Sequence, residues 1–276
     1  MTTLKGWIAA AHPVPVALVI VLTGLVAVAS ADGKPDATKL TLVLLAMLQS
    51  QLAIGWSNDY LDRETDALHQ PWKPIPSGVV RATAMPLAIV AALVASLTCG
   101  FLLGAVPLGL LVAGTACGLV YNLWLKDTAF SGLPFVIALG LLPAFVWVSL
   151  DISRDEFLLL YIIGTPLALA AHVANGIPDI EADEAAGRRG LAASLGRSKA
   201  LLLVFGCLSA SMIAALAGPD HVWQAAEFWL ALLAAVCLSV AARIAYARDS
   251  RSGDVWGFRL VALAGIVLST GWLAAV

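Results

Sequence analysis

Residues Leu40–Asp66 read LTLVLLAMLQSQLAIGWSNDYLDRETD. The first two thirds of this stretch is apolar and long enough to cross a bilayer core, which takes about 20 such residues in a helix. The last third is different: Asn58, Asp59, Asp62, Arg63, Glu64 and Asp66 crowd into nine positions. A dense polar cluster therefore hangs on the end of a spanning helix. Working outward from Leu40–Ser57, eight more segments meet the same length and composition: Val14–Ala31, Ala82–Ala105, Val106–Leu125, Leu133–Leu150, Phe157–Ile177, Ala200–Gly218, Trp223–Ala242 and Leu260–Val276. Gly104 and Pro107 divide the third from the fourth. The runs are too long for strands and do not alternate. The predicted fold is all-α: nine transmembrane helices in one domain spanning 1–276.

Composition agrees. Of 276 residues, 61% are hydrophobic and 12% charged, with a net charge of −2, whereas soluble domains carry roughly 25% charge. This excludes an ordinary soluble globule, a disordered chain and a basic nucleic-acid binder. Nothing indicates an obligate protein partner. Cys99, Cys117, Cys207 and Cys237 lie in apolar runs without CxxC spacing and read as small apolar residues. Nine spans sort the connections into two sets. Thirteen of the sixteen Lys and Arg fall on one side, leaving Lys34, Lys39 and Arg154 on the other. The positive-inside rule then predicts a cytoplasmic N-terminus in a plasma-membrane protein. Asp32, Asp36, Asp151, Asp155 and Glu156 fall on the outer side, and Ala247–Gly257 reads as a plain cytoplasmic loop.

The cytoplasmic side also holds a second acidic cluster. Asn58, Asp62 and Asp66 are spaced i, i+4, i+8, and Asn175, Asp179 and Asp183 repeat that spacing after the sixth span. On a helix each set lines one face, although Pro178 predicts a kink or a new helix start in the second. Stacked carboxylates near a bilayer repel one another and lose solvation, so each ladder needs a compensating cation. Oxygen donors with no Cys and few His nearby point to Mg²⁺, which takes one or two carboxylates plus substrate phosphate. Two such ladders facing each other suit a diphosphate. The plainer alternative pairs the acids with Arg63 or Arg188 alone. Lys73, Lys126, Arg188 and Arg189 are candidates to neutralise a departing phosphate, and the prolines in Lys73–Gly78 (KPIPSG) stiffen the loop after Lys73.

These residues resemble the UbiA superfamily of intramembrane prenyltransferases over essentially the whole chain. The resemblance rests on the NDxxDxxxD form of Asn58–Asp66, KPIPSG of Lys73–Gly78, YNLWLK of Tyr121–Lys126 and DIEAD…GRRGLAASLG of Asp179–Gly196. It implies a helical bundle around a central cavity opening to lipid, with Mg²⁺ as cofactor, a prenyl diphosphate and a lipophilic acceptor as substrates, and membrane lipid as surroundings. It implies Asp62, Asp66, Asp179 and Asp183 as metal ligands. Asn58, Lys73, Lys126, Asn175, Arg188 and Arg189 would face the diphosphate, and Lys126 would also act in the chemistry. Four positions depart from the family pattern: Lys73 stands for Arg, His69 for Asn, Gly190 for Thr or Ser, and Asn175 for Asp. Asp59 is the candidate acceptor of the proton released on transfer, with His69 and His172 as the nearby imidazoles.

The implied reaction moves a prenyl group to an electron-rich acceptor, an aromatic quinone-precursor-like ring first. A lipid alcohol such as a prenylated glycerol phosphate is the alternative. A terpene cyclase would ionise the same diphosphate without an acceptor. A transporter would also carry intramembrane acids, but its site would lie near the midplane, whereas these acids cluster at one face.

Overall fold

The structure, a computed structural model, describes residues 2–31, 33–153, 158–185 and 187–276. Asp32, Arg154, Asp155, Glu156 and the predicted span start at Phe157 lie outside the described residues. Among the described residues, nine helical segments are long and apolar enough to cross a membrane, and every element is helical. The fold class predicted from the sequence is therefore the observed one.

The chain divides into two compact units. The first comprises Met1–Ala27, Pro35–Leu123 and Leu141–Asp151; the second comprises Val28–Lys34, Trp124–Gly140 and Ile152–Val276. In the first unit a short helix α1 (Thr3–Ala10) precedes α2 (Pro13–Ser30), the 33-residue α3 (Ala37–His69), α4 (Met85–Leu103) and α5 (Ala105–Val120). Asp36 caps α3 by accepting from the Lys39 amide at 2.8 Å, meeting one of the orphan donors of a helix start. Gly104 separates α4 from α5 with φ 120°, a backbone region that glycine enters without a Cβ clash. The packing of α3 against α4 and α5 uses small hydroxyl side chains: Ser96 Oγ donates to the Ala46 carbonyl, and Ser50 and Thr115 share a hydrogen bond, each at 2.8 Å. Such bonds are available between helices that lipid does not drive together. A π-helical turn, Tyr121–Leu125, extends α5.

Helix α6 (Gly132–Ser149) contributes to both units. In the second unit α7 (Leu159–Gly176) gives way to a 3-10 turn (Ile177–Asp179) and the short α8 (Ile180–Ala185), so the break predicted at Pro178 is present. Then come α9 (Leu191–Ala215), α10 (Ala226–Tyr246) and α11 (Arg251–Ala275). Helix α7 packs on α9 and α11, and α10 packs along α11.

Helix α1 is too short to cross a bilayer and adds no span. Two expectations need correction. The second span does not stop at Ser57 but runs on to His69, since no Gly or Pro interrupts Asn58–His69. Residues Ala247–Gly257 are not a plain loop: α11 begins at Arg251, capped by Ser250 Oγ accepting from the Gly253 amide at 3.1 Å. Asp254 is buried there and takes two hydrogen bonds from Arg197, at 2.7 and 2.9 Å, while Arg197 also donates to the Tyr246 carbonyl. One guanidinium thus ties α9 to the ends of α10 and α11.

Candidate functional site

The first acidic cluster is carried by the uninterrupted end of α3. Because the helix continues, Asn58, Asp62 and Asp66 follow one another down one side, as the spacing predicts. Burial, however, picks out a different pair: Asp59 and Asp66 are each 3% exposed, while Asn58 and Asp62 are half-buried. Asp59 and Asp66 are seven residues apart, two helical turns, and so share a stripe. Lys73 lies against that stripe. Its Nζ donates to Asp66 Oδ2 at 2.8 Å and stands 3.5 Å from Asp59 Oδ1. The loop that carries Lys73 is held by Ile75 and Val80, which pack with Ala10 and Met85 in a small core lined by Trp7, Trp56 and Tyr60. Burial works against the Lys73 ammonium, but the Asp66 hydrogen bond and the charges of Asp59, Asp66 and Asp62 outweigh it and hold the amine above its ordinary 10.5. Its charge serves the ladder directly.

Two residues absent from the sequence-derived site join this cluster. His12, in the turn between α1 and α2, places Nε2 3.0 Å from Asp59 Oδ1. Asn122, buried on the π-helical turn, donates to the Ile54 carbonyl and Ser57 Oγ at 2.8 Å, and its Oδ1 accepts from Asn58 Nδ2 at 3.2 Å. Asn122 thereby fixes Asn58 at the head of the ladder. Asn122 lies inside the YNLWLK motif that carries the resemblance, but nothing in the sequence gave it this role. His12 gave none, being 47 positions from its partner. Arg63 turns away: it binds Glu64 at 2.9 Å and the Tyr60 carbonyl at 2.7 Å. His69 is exposed at the end of α3.

The second cluster is built on broken helix. Asp179 ends the 3-10 turn and Asp183 lies in α8, both part-exposed, with Asn175 exposed near the end of α7. Arg188 pairs with Asp183 at 2.7 Å. Asp179 accepts from Arg251, at the start of α11, at 2.8 Å. Reading Ala247–Gly257 as a loop concealed Arg251. Lys126 is half-buried and Arg189 exposed. A Cβ on Gly190 would stand 2.9 Å from the Lys126 carbonyl oxygen, so the backbone here packs closely against the end of the Lys126 segment. His172 is buried in a hydrogen bond with Ser131 at 2.9 Å, and Ser131 Oγ also accepts from the Leu191 amide. This imidazole is engaged in packing α7.

The donor chemistry of both clusters suits a hard divalent cation. The donors are carboxylate and amide oxygens, with no thiolate among the residues just described. Among the described residues no three His, Cys, Asp or Glu side chains already converge. The fit therefore rests on oxygen donors whose charge is shared out to Lys73, Arg188 and Arg251.

Fold and clusters define a multi-pass, all-helical membrane protein with two acidic motifs of like spacing. The UbiA prenyltransferase family model matches residues 17–272, and the chain belongs to that family. It is 33% identical over 186 residues to a digeranylgeranylglyceryl phosphate synthase of Methanothermobacter thermautotrophicus, covering 64% of this chain and 63% of that relative. The match thus spans less than two thirds of that relative's length. A digeranylgeranylglyceryl phosphate synthase of Methanoregula boonei is 30% identical over 207 residues, covering 72% of this chain and 71% of the relative. A solved structure of a UbiA homolog from Archaeoglobus fulgidus bound to DMAPP and Mg2+ superposes with a TM-score of 0.69 at 16% identity, covering 98% of this chain and 99% of the other. At that identity the superposition speaks to the fold.

Proposed function

We propose that this protein transfers a prenyl group from a prenyl diphosphate to the hydroxyl of a prenylated glycerol phosphate, releasing diphosphate. The carrying observation is a family match over 17–272 joined to relatives named for a diprenylated glyceryl phosphate. An aromatic acceptor, placed first by the sequence, has no comparable support. The A. fulgidus homolog's DMAPP and Mg2+ support a prenyl diphosphate donor and a Mg²⁺ cofactor.

Asp62, Asp66, Asp179 and Asp183 would hold the metal, with Asn58 and Asn175 as neutral oxygen donors beside them. When bound, Mg²⁺ supplies Lewis-acid neutralisation of the diphosphate. Lys126, Arg188 and Arg189 offer positive charge to the leaving group as its charge develops. Lys73 keeps Asp66 and Asp59 fixed and adds its own charge to the diphosphate site. Arg188 and Arg251 are bonded to Asp183 and Asp179, so they screen these carboxylates until a cation competes for them. Apolar helix faces exclude water from the prenyl tail, protecting an allylic cation from quenching. The acceptor hydroxyl attacks C1, and its proton leaves on the side of the first cluster where Asp59 and the imidazole bonded to it lie. The site faces the cytoplasmic side of the plasma membrane.

The test incubates purified protein with geranylgeranyl diphosphate, Mg²⁺ and either geranylgeranylglyceryl phosphate or 4-hydroxybenzoate, with mass spectrometry of the organic phase. An ether adduct of the glyceryl phosphate is expected. An aromatic adduct replaces the acceptor, a cyclic hydrocarbon replaces transfer with cyclisation, and unchanged donor overturns the reading.

A further inference from the structure

His12 occupies a costly position. It has φ 54°, a left-handed conformation that few non-glycine residues adopt and that recurs at functional sites. The packing around it explains how it is held. Trp56 Nε1 donates to the Trp7 carbonyl at 3.1 Å, and the two indoles meet edge to face at 5.3 Å. Gly55 presses directly on the turn: a Cβ there would lie 2.5 Å from the Ala11 carbonyl oxygen. One helical turn after Gly55 comes Asp59, so the contact at Ala11 delivers the next residue, His12, to that carboxylate. Asp59 itself is 3% exposed, whereas the His12 side chain is 39% exposed. The buried carboxylate is thus joined to an imidazole that reaches the surface.

An ionised carboxylate can only accept. In its neutral form, an imidazole bonded through Nε2 to an ionised carboxylate carries its hydrogen there, which leaves the Nδ1 lone pair open. A base whose other nitrogen is oriented by a buried acid is the arrangement that general-base chemistry requires. Lys73, an ammonium held by Asp66 and Asp59, has no lone pair to offer.

We infer that His12, oriented by Asp59, takes the proton from the acceptor hydroxyl during prenyl transfer; this rests on the hydroxyl-acceptor reading above. An acceptor oxygen lone pair forms the bond to C1, and the C1–O bond to diphosphate breaks with its electron pair leaving on diphosphate. The hydroxyl O–H pair stays on the ether oxygen, and the proton goes to His12 Nδ1. The imidazolium is stabilised by Asp59 through Nε2–H and returns its proton to water. Asp59 then acts as a positioning residue.

The experiment compares the full-length parent with His12→Gln and His12→Ala in lipid nanodiscs, using geranylgeranyl diphosphate, Mg²⁺ and geranylgeranylglyceryl phosphate. Loss of a general base lowers rates by about 10²–10⁴-fold, so both variants should lose kcat on that scale. The KM for the donor should stay within about twofold of the parent. Added imidazole should restore part of the His12→Ala rate. His12→Gln retains an amide donor for Asp59, so it should unfold at the parent's temperature. Parent-like kcat in either variant overturns the assignment, as does a kcat that falls only together with donor affinity. A readout independent of turnover is diethyl pyrocarbonate labelling of His12 followed by peptide mass spectrometry. Geranylgeranylglyceryl phosphate should slow labelling at His12, and unchanged labelling sinks the proposal even if the parent is inactive. A parent that forms no ether refutes the acceptor reading instead.

Discussion

The two acidic clusters share a spacing and differ in almost everything else. Asp59, Asp62 and Asp66 ride on an unbroken helix, two of them are buried, and Lys73 and His12 clasp them from outside the helix. Asp179 and Asp183 straddle a 3-10 turn and a six-residue helix, stand part-exposed, and are covered by long arginines. In the first cluster Lys73 and His12 are paired to buried carboxylates, and removing a partner would leave a carboxylate without solvent or a counter-charge. In the second, the exposed Asp179–Arg251 pair is worth about 0–1 kcal/mol, while the Asp183–Arg188 pair is half-buried. One spacing is therefore built as a buried, already paired cluster in the first unit and as a part-exposed one in the second.

Four experiments would break or sharpen that contrast. The largest effect should come from the carboxylates themselves. Asp62→Ala and Asp179→Ala should each lower turnover by about 10²–10³-fold, the scale of losing one electrostatic stabiliser of a developing anion, and EDTA should abolish turnover until Mg²⁺ is restored. Parent-like turnover in either variant would show that its cluster is dispensable.

Next comes Lys73→Met, which strands Asp59 and Asp66. Losing one partner of a buried pair costs about 3–5 kcal/mol, and unfolding in detergent should show a loss near the lower end, since Lys73 is 20% exposed. The pH dependence has a definite sign. A lysine held above 10.5 contributes stability fully present below that pH and lost as pH rises through the raised value. The parent should weaken above about pH 10.5, and Lys73→Met should lose that limb.

Gly55→Ala should be milder. Its Cβ meets the Ala11 backbone, and overpacking of this kind costs about 1–3 kcal/mol. Lowered thermal stability with displaced His12, seen as altered labelling of that histidine, is the expected readout. The smallest change should be Arg251→Ala, which removes an exposed pair with Asp179. Stability should move by less than about 1 kcal/mol. The apparent Mg²⁺ requirement should fall because Asp179 no longer has a competitor, and a raised requirement would mean that Arg251 helps hold the diphosphate.

Much of this was legible in the chain. Apolar runs of membrane-spanning length set the helices, and the i, i+4 spacing of Asp62–Asp66 and Asp179–Asp183 marked the ladders. Pro178 announced its break because proline lacks the amide that a continuous helix needs. The segment Ala247–Gly257 misled because its charges resemble a solvated loop; only the packing shows Asp254 buried against Arg197.

By itself, then, the sequence determined which segments meet lipid and which carry charge, because both follow from local composition and helical period. Tertiary structure alone decided which acids are buried and who neutralises them. His12 meets Asp59 across 47 residues, Asn58 meets Asn122 across 64, and Arg251 meets Asp179 across 72. No local pattern encodes such distances. They are fixed by where helices touch, as Gly55 touches Ala11, and a contact between distant segments exists only once the chain has packed.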